Sequence, residues 1–288
     1  MNARVLRIGS GAFLLLLIGV ALVISFAREL PEPVWKGKPL SAWIDDLVMG
    51  SSKEIREPAE EAIRQIGPRA IPQLLQILGS RDTVSERVLV QLNRKQHLFH
   101  FPVVPAGIKR RRASLAFEAL GPLARPAFPE LKKMLTHDAD PEFAADALAA
   151  IGPESVSALL EALPKVKGEK RCALYAATAK WPSQQGAIIP ALLRSLQSKS
   201  TPERRCAAEL LGRLRGDPAG TIRALISALE DRDFAVRNEA LSSLSEFATN
   251  ASVALEPVRK LMRNPAWFDA ETCSNALYRM EPEPKSLF

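Results

Sequence analysis

The sequence predicts an all-α protein, a right-handed α-solenoid of about six helical-hairpin repeats preceded by one N-terminal hydrophobic helix. Three features predict this class: the composition, a hydrophobic N-terminal run and a repeated helical pattern. Of the 288 residues, 47% are apolar but only 6% are aromatic. Alanine and leucine supply most of the apolar residues, which favours helix over sheet. With 25% charged residues beside this apolar content, the chain is not of the disordered class.

Residues 1–28 form the first predicted element, a transmembrane anchor or a signal peptide. Arg4 and Arg7 precede an uncharged run over residues 8–27. A helix of about 20 apolar residues spans a bilayer, and positive residues before it remain in the cytoplasm. The run ends in Ser-Phe-Ala, which has the small residues of a signal-peptidase site. Cleavage is therefore the main alternative to an anchor, and a buried core helix is the third.

Residues 29–52 follow as a linker and an N-terminal cap helix. Trp35 and Trp43 lie on either side of a Lys-Gly-Lys-Pro turn. Ser41 is suited to cap the helix that follows, in which Trp43 and Leu47 share one face. A repeat array needs such a cap, because its terminal apolar face is otherwise exposed. An aromatic platform for a sugar or a peptide is the alternative interpretation.

Residues 53–265 form the predicted repeat domain. Its clearest copies are AEEAIRQIGP at 59–68, ASLAFEALGP at 113–122 and AADALAAIGP at 144–153. The second and third copies are 31 residues apart, whereas additional residues separate the first from the second. Later copies begin at Cys172, Ala207 and Ala240, and the first of these has Lys-Trp-Pro in place of Ile-Gly-Pro. The period is that of a helical hairpin, so the domain is predicted to be a stack of such hairpins.

A glycine–proline turn and a second helix complete each clear copy. Gly67, Gly121 and Gly152 stand where the first helix must end, since glycine adopts the left-handed conformation without a Cβ penalty. The proline after each glycine starts the next element. Apolar residues of the second run recur at spacings of three and four, the helical period. Residues 266–288 are predicted to form one more first helix, a C-terminal cap, followed by a tail.

These copies resemble HEAT repeats, a family of α-solenoids. The resemblance rests on the Ile-Gly-Pro turns and on Asp233 and Val236-Arg237, which match the family's Asp…Val-Arg pattern. The Trp-Lys-Gly-Lys-x-Leu-x-x-Trp order from Trp35 to Trp43 is similar to the lead-in of exported HEAT proteins from soil and aquatic bacteria. The resemblance implies a bacterial protein whose repeat domain lies in the periplasm, on a single-pass cell-membrane anchor or as a secreted or periplasmic chain after cleavage.

Residues 83–112 are a basic insertion, the main departure from the period. They hold seven Lys or Arg residues against one acidic residue, Glu86, in a chain of net charge +7. This charge suits an anionic partner, such as an acidic protein surface, lipid headgroups or a glycan. The predicted contacts are Lys109, Arg110, Arg111 and Arg112. A solvated loop is the alternative, and nucleic acid is not expected, because no reading motif accompanies the cluster.

No cofactor, metal site or catalytic machinery is predicted. His97 and His100 are three residues apart, and the chain has only 3 His to supply further metal ligands. Cys172 and Cys206 are expected to be small buried apolar residues, because adjacent helices lie about 8–10 Å apart, too far for an easy disulfide. Phosphate-loop, nucleophile-elbow and zinc-protease signatures are missing from the sequence. The protein is therefore not expected to be an enzyme.

The predicted function is a membrane-tethered or exported scaffold that binds a protein partner. Polar positions of the second helices are expected to line a concave binding face. The candidate positions are Gln73, Gln76, Glu130, Lys133, Glu161, Arg194, Arg223 and Arg259. Two other functions remain open: an accessory subunit or lyase-like enzyme of the HEAT-like class, and an envelope component that binds anionic surfaces through residues 83–112.

Cell fractionation with N-terminal sequencing tests the anchor. An uncleaved helix over residues 8–27 is expected to keep the chain in the membrane fraction with its N-terminal segment intact, since its length matches the bilayer core. A mature chain that starts at Arg28 would refute the uncleaved tether and indicate a signal peptide.

Overall fold

The computed structural model describes residues 31–50, 52–95, 101–137, 140–261 and 270–281. These residues are predominantly helical, which confirms the predicted all-α repeat fold. The described strands form a two-stranded antiparallel hairpin that pairs Val34–Trp35 with Lys38–Pro39. The predicted hydrophobic helix at 8–27 lies outside the described residues. Within them, no helix is both long enough and apolar enough to cross a membrane.

The helices fall into two compact units, of which the first ends at Ala127 and the second begins at Phe128. The N-terminal unit contains α1 (Leu40–Met49), α2 (Lys53–Ile66), α3 (Ile71–Leu78), α4 (Val84–Lys95) and α5 (Ala106–Leu120). The C-terminal unit contains α6 (Phe128–His137), α7 (Glu142–Ile151), α8 (Ser155–Ala162), α9 (Glu169–Ala179), α10 (Gln185–Ser195), α11 (Thr201–Leu214), α12 (Pro218–Ala228), α13 (Phe234–Glu246), α14 (Leu255–Leu261) and α15 (Ala270–Met280). Short 3-10 turns cover Gly67–Ala70, Gly121–Ala127, Leu163–Lys165, Pro182–Gln184 and Ala248–Ala254.

In the N-terminal unit, α1 packs against α2 and α5. Its buried residues are Leu40, Ile44 and Leu47. The hairpin before it is held by the indole of Trp43, whose Nε1 donates to the carbonyl oxygen of Trp35 at 3.3 Å. The ammonium of Lys38 lies 4.4 Å from the centroid of the Trp43 ring. The hydrogen bond between the two tryptophans therefore connects the hairpin to α1.

The predicted capping role of Ser41 is wrong. Helix α1 begins at Leu40, two residues before the helix start that a Ser41 cap requires, and its N-cap residue is Pro39, with no side-chain cap. The backbone N–H and the hydroxyl of Ser41 instead donate to the carboxylate of Glu32. This contact satisfies a first-turn N–H group that has no partner within the helix.

In the C-terminal unit, the first helices of successive repeats pack directly on one another. Helices α7, α9, α11, α13 and α15 contact each other in that order, and α8, α10, α12 and α14 pack beside them. Alanines line this contact, because small side chains let helix backbones approach closely. Those that are fully or almost fully buried include Ala144, Ala147, Ala207, Ala208 and Ala240. Leucines of both helix sets fill the remaining space, as in other close-packed cores.

One of these approaches, between α11 and α13, leaves no room for a side chain. A Cβ atom placed on Gly212 would lie 2.6 Å from the Cβ and 2.8 Å from the Cα of Ser243. The hydroxyl of Ser243 donates to the backbone carbonyl of Ala208 at 2.8 Å, which fastens the two helices. Glycine is therefore required at position 212 by the packing of the neighbouring helix.

The turn between the two helices of a repeat follows the predicted glycine–proline pattern. Gly67 and Gly121 directly follow α2 and α5 with φ angles of 62° and 54°, which only glycine adopts without strain. The prolines after them lie in 3-10 turns that lead into the next helix.

The basic insertion is shorter than predicted, because α5 extends back to Ala106. Lys109–Arg112 therefore belong to a repeat helix and not to a separate loop. Before it lies α4, in which no residue is buried. The side-chain amide of Asn93 donates to the carbonyl of Phe101 and accepts from its N–H, both at 2.9 Å, which ties the end of α4 to the segment before α5.

Gly212→Ala is expected to destabilise the C-terminal unit by roughly 1–3 kcal/mol, because the added methyl group overlaps Ser243 and forces α11 and α13 apart. The matched control is Gly186→Ala in α10, where an added Cβ meets nothing within 4 Å. The control should be neutral or stabilise by up to ~1 kcal/mol through helix propensity. Urea unfolding measures both, and equal stabilities of the two variants would contradict the close approach.

Candidate functional site

A groove of about 440 Å³ opens between α8 and α10 in the C-terminal unit. Its apolar walls include Leu160, Leu163 and Ala191. Its floor comes from the first helices α9 and α11 and is polar. We call this site the polar groove, and its polar lining residues are Arg171, Tyr175, Arg194, Ser195, Ser198 and Glu203. It combines the two features expected of a binding site, an apolar wall and a few convergent polar groups.

A buried carboxylate organises the floor of the polar groove. Glu203 is 2% exposed. Its carboxylate accepts a hydrogen bond from Nη1 of Arg171 at 2.6 Å, from the hydroxyl of Ser195 at 3.0 Å and from the hydroxyl of Ser198 at 2.8 Å. A charge so deeply buried is tolerated only when it is paired and fully hydrogen-bonded, as it is here.

The tyrosine of the floor belongs to the same network. The oxygens of Tyr175 and Ser195 are 2.6 Å apart. The hydroxyl of Ser195 donates its only proton to the carboxylate of Glu203. The hydroxyl of Tyr175 must therefore be the donor in its hydrogen bond with Ser195. Burial raises the pKa of Tyr175 and outweighs the opposing hydrogen bond with Ser195. The phenol therefore stays neutral at physiological pH and acts as a hydrogen-bond donor.

The degenerate turn of the fourth repeat copy lies between α9 and α10. Trp181 stands where other copies have glycine, and its Nε1 donates to the carbonyl of Ala149 in α7 at 2.9 Å. The neighbouring Lys180 pairs with Asp146 of α7 at 3.0 Å. These contacts fasten the end of α9 to the preceding first helix in place of the usual turn.

Three arginines spaced 33 residues apart form a ladder along α9, α11 and α13: Arg171, Arg204 and Arg237. Each donates to a backbone carbonyl in the turn before its own helix. The acceptors are Val166 at 3.0 Å, Ser198 at 2.9 Å and Asp231 at 3.0 Å. The first two arginines also bind a carboxylate further along the chain, in Glu203 and Asp231. This arginine ladder fixes the register between successive repeats and supports the floor of the polar groove.

The second arginine of the ladder, Arg204, forms a bidentate ion pair with Asp231. Nε and Nη2 of Arg204 lie 2.7 and 2.9 Å from the two carboxylate oxygens of Asp231. Burial by itself would raise the pKa of Asp231. Hydrogen bonds from Arg204 and from the backbone N–H of Asp233 outweigh burial and hold this pKa below its ordinary value. The pair therefore contributes to stability in its charged form.

The family model of HEAT repeats matches residues 189–276, which run from α10 into α15. Residues 189–276 are therefore similar to HEAT repeats. A comparison with curated protein sequences finds no significant match. Among solved structures, the crystal structure of an engineered protein is similar at 18% identity, over 84% of this chain and 96% of that chain, with a TM-score of 0.40.

The Asp…Val-Arg pattern of the HEAT repeat has a physical role at α13. The carboxylate of Asp233 accepts from the backbone N–H groups of Ala235 and Val236, at 2.9 and 3.4 Å, and so caps the helix. Val236 is fully buried, and Arg237 is the third rung of the ladder. The family pattern in the sequence indicates Arg237 but not Arg171 or Arg204. Their spacing of 33 residues was the signal that could have revealed them.

The predicted partner-binding residues lie in different parts of the two units. Gln73 and Gln76 are on α3 of the N-terminal unit, where Gln76 is exposed and Gln73 is half-buried. Of the eight, Arg194 is the residue that lines the polar groove. Arg223 on α12 and Arg259 on α14 are exposed, and Arg259 pairs with two carboxylates. The candidate set thus contains one residue at the polar groove.

A second groove, of about 330 Å³ between α6 and α8, brings together two more of the predicted residues, Lys133 and Glu161. Lys133 pairs with the predicted Glu130 at 2.8 Å, and Lys132 pairs with Glu161 at 2.7 Å. These side chains are exposed, so water and salt screen their pairs. Glu161 and its neighbours remain free to exchange these contacts for those of a partner.

The predicted anionic-surface cluster is partly engaged inside the protein. Nζ of Lys109 lies 3.0 Å from the carboxylate of Glu86, and Nη1 of Arg112 lies 2.6 Å from that of Asp45. Arg110 is half-buried, and Arg111 is exposed. Elsewhere in the described ranges, no group of three or more His, Cys, Asp or Glu side chains is placed to hold a metal ion.

Asp231→Asn is expected to lower the free energy of unfolding at pH 7 by on the order of 2 kcal/mol, because Arg204 loses its charged partner. The pKa of Asp231 is lower in the folded than in the unfolded chain. The stability it contributes is therefore complete above the unfolded pKa of about 3.9 and disappears as pH falls through the folded pKa.

The difference in free energy of unfolding between the wild type and Asp231→Asn should therefore decrease as the pH falls below about 4, which urea unfolding across pH 2–7 measures. The control is Glu230→Gln, which removes an exposed carboxylate one residue earlier. If Asp231→Asn lowers the free energy of unfolding by the same amount at every pH, loss of the ion pair is not the cause of the destabilisation.

Proposed function

We propose that this protein is a HEAT-repeat scaffold that binds a protein partner in the polar groove and catalyses no reaction. The observation that carries the proposal is the composition of the groove, where apolar walls surround a polar floor and an exposed guanidinium stands at the rim. HEAT repeats in residues 189–276 support a protein-binding role, because stacked hairpins offer extended surfaces for partners.

The rim residue Arg194 is the proposed contact with the partner. It is exposed, whereas the floor residues Arg171 and Glu203 neutralise each other. A guanidinium presents five N–H donors in a planar array that matches a carboxylate, and arginine is enriched among the residues that dominate binding energies. The walls formed by Leu160, Leu163 and Ala191 supply apolar contact area beside it. An acidic side chain flanked by apolar residues is the partner feature that fits.

The state of the floor residues supports binding over catalysis. Glu203 already accepts three hydrogen bonds, and Tyr175 uses its proton to reach Ser195. A general base or nucleophile must be free to reach the substrate, and neither group is. The hypothesis of a lyase-like enzyme therefore receives no support from this groove.

The proposed location is outside the cytoplasm. The support is in the sequence, where Arg4 and Arg7 precede the apolar run at 8–27. An anchor there would hold the HEAT repeats near the outer side of the membrane, in the periplasm if the source is a bacterium, and a cleaved signal peptide would release them. In either case the partner is an extracytoplasmic protein.

Site-specific photocrosslinking in cells that make the protein tests the groove. Benzoyl-phenylalanine replaces Ala187, an exposed residue of the groove wall, or Arg213, an exposed residue of α11 outside it. We expect one discrete protein adduct from position 187 and none from position 213. Adding Arg194→Glu to the first variant should abolish the adduct, because the rim charge is reversed.

The identified partner, once purified, is then titrated by calorimetry. Arg194→Ala is expected to raise the Kd at least tenfold, which corresponds to about 1.4 kcal/mol. Arg213→Ala is the matched control and should leave the Kd within about twofold, as for an exposed residue outside the interface. Equal crosslinking at both positions, or an unchanged Kd for Arg194→Ala, would refute the groove as the binding site.

The exposed residues of helix α4 support a second candidate function, which is contact with an anionic membrane surface. Val84, Val88 and Leu92 are 70%, 50% and 41% exposed and recur every four residues, so they form an apolar stripe along one side of the helix. The exposed Arg87, Arg94 and Lys95 belong to the same helix. An apolar stripe with basic flanks is the pattern of helices that lie in the membrane interface.

Cosedimentation of residues 28–288 with phosphatidylglycerol vesicles tests this contact. Replacing Val84, Val88 and Leu92 by serine is expected to lower the bound fraction at least tenfold, since each side chain buries apolar area worth ~1 kcal/mol or more. The control replaces Leu123 and Val253, exposed apolar residues elsewhere, and should bind like the unaltered chain. Equal binding of both variants, or equal binding to neutral vesicles, would exclude this function.

A further inference from the structure

Two cysteines from adjacent repeats meet beside the polar groove. Cys172 is on α9 and Cys206 is on α11, and both are half-buried. The Sγ atom of Cys172 lies 3.5 Å from the carbonyl oxygen of Pro202. Pro202 is one helical turn before Cys206, and residues four apart share a helix face. The sulfur of Cys172 therefore lies on the surface of α11, next to Cys206.

A neighbouring ion pair holds this register. Arg171, the residue before Cys172, binds the carboxylate of Glu203 at 2.6 Å. Helices α9 and α11 pack directly on each other along this line. The spacing of helix axes had predicted that the two cysteines are too far apart for an easy disulfide. The contact with Pro202 shows that the sulfur of Cys172 nevertheless reaches the surface of α11, because its side chain extends across the interface.

The two thiols also differ in reactivity. A hydrogen bond from Cys206 to the sulfur of Cys172 lowers the pKa of Cys172 and raises the pKa of Cys206, and burial adds to the rise at Cys206. Since the thiolate is the reactive form of cysteine, Cys172 is the nucleophile of the pair.

We propose that Cys172 and Cys206 form an intramolecular disulfide by exchange with a small-molecule or protein disulfide. The Cys172 thiolate attacks one sulfur of that disulfide and expels the other sulfur as a thiolate. Cys206 then loses its proton to solvent, attacks the sulfur of Cys172 and expels the second thiol. The two protein thiols are oxidised to one disulfide, and the external disulfide that was attacked is reduced to two thiols.

The disulfide would close a loop that contains most of the polar groove. The chain between Cys172 and Cys206 includes Tyr175, Arg194 and Glu203, which come from the floor and the rim. A covalent link across this loop restricts the unfolded chain and also limits separation of α9 from α11. Extracytoplasmic compartments are oxidising, so the bond would form where the proposed partner is met.

Oxidation of the full chain with oxidised glutathione, followed by alkylation and tryptic mapping without reduction, tests the bond. Trypsin cuts after Arg171 and Arg205, so each cysteine begins its own peptide, at 172–180 and 206–213. We expect these two peptides to be linked, with a combined mass lower by two hydrogen atoms, in a chain that remains monomeric on a non-reducing gel. The wild type should also unfold at a higher temperature after oxidation.

Two variants, Cys273→Ser and Cys206→Ser, test which cysteines form the disulfide. Cys273 is buried in α15, so its removal should leave the linked peptides in place. Cys206→Ser should abolish the linked peptides and the rise in unfolding temperature, while circular dichroism checks that the helices remain. Linkage of Cys172 to Cys273, a disulfide between two chains, or two free peptides after oxidation would each overturn the proposal. None of these results depends on partner binding in the groove.

Discussion

The close packing of successive first helices is the constraint on which the rest of the C-terminal unit depends. Helices α7, α9, α11, α13 and α15 can stack only because their shared faces carry alanine and glycine, as at Ala208 and Gly212. Leucines beside these positions then fill the space between the helices. The short distance also decides which side chains meet across the interface, from the hydroxyl of Ser243 to the thiol of Cys172.

Close packing brings polar groups into the interior, and the arginine ladder satisfies them. Each arginine of the ladder binds the carbonyl of a turn, where no helix supplies a donor. Two rungs also neutralise a carboxylate, Glu203 or Asp231. The first rung forms the floor of the polar groove, so the same interaction that sets the register also makes a polar surface. Structure and proposed function thus share residues, whereas the rim residue Arg194 is the proposed contact with a partner.

Exposed features of the two units suit the proposed extracytoplasmic scaffold in different ways. The polar groove lies in the C-terminal unit and is suited to a folded or extended protein segment. Helix α4 lies in the N-terminal unit and has the apolar stripe and basic flanks of a membrane-surface helix. The thiol pair in the C-terminal unit adds a chemical property that an oxidising compartment would use. Each feature is supported by its own contacts and can be tested without the others.

The sequence by itself determined the helical hairpins, their glycine–proline turns and the alanine-lined first helices, because periodicity and turn chemistry are local properties. It also contained the 33-residue spacing of the arginine ladder. Only the tertiary structure decided which partners these residues have. Arg112 binds Asp45, 67 residues away, Glu203 lies buried beneath the groove, and the sulfur of Cys172 contacts the carbonyl of Pro202 on α11. Such contacts depend on how distant segments are set against one another, and no local pattern in the chain encodes that.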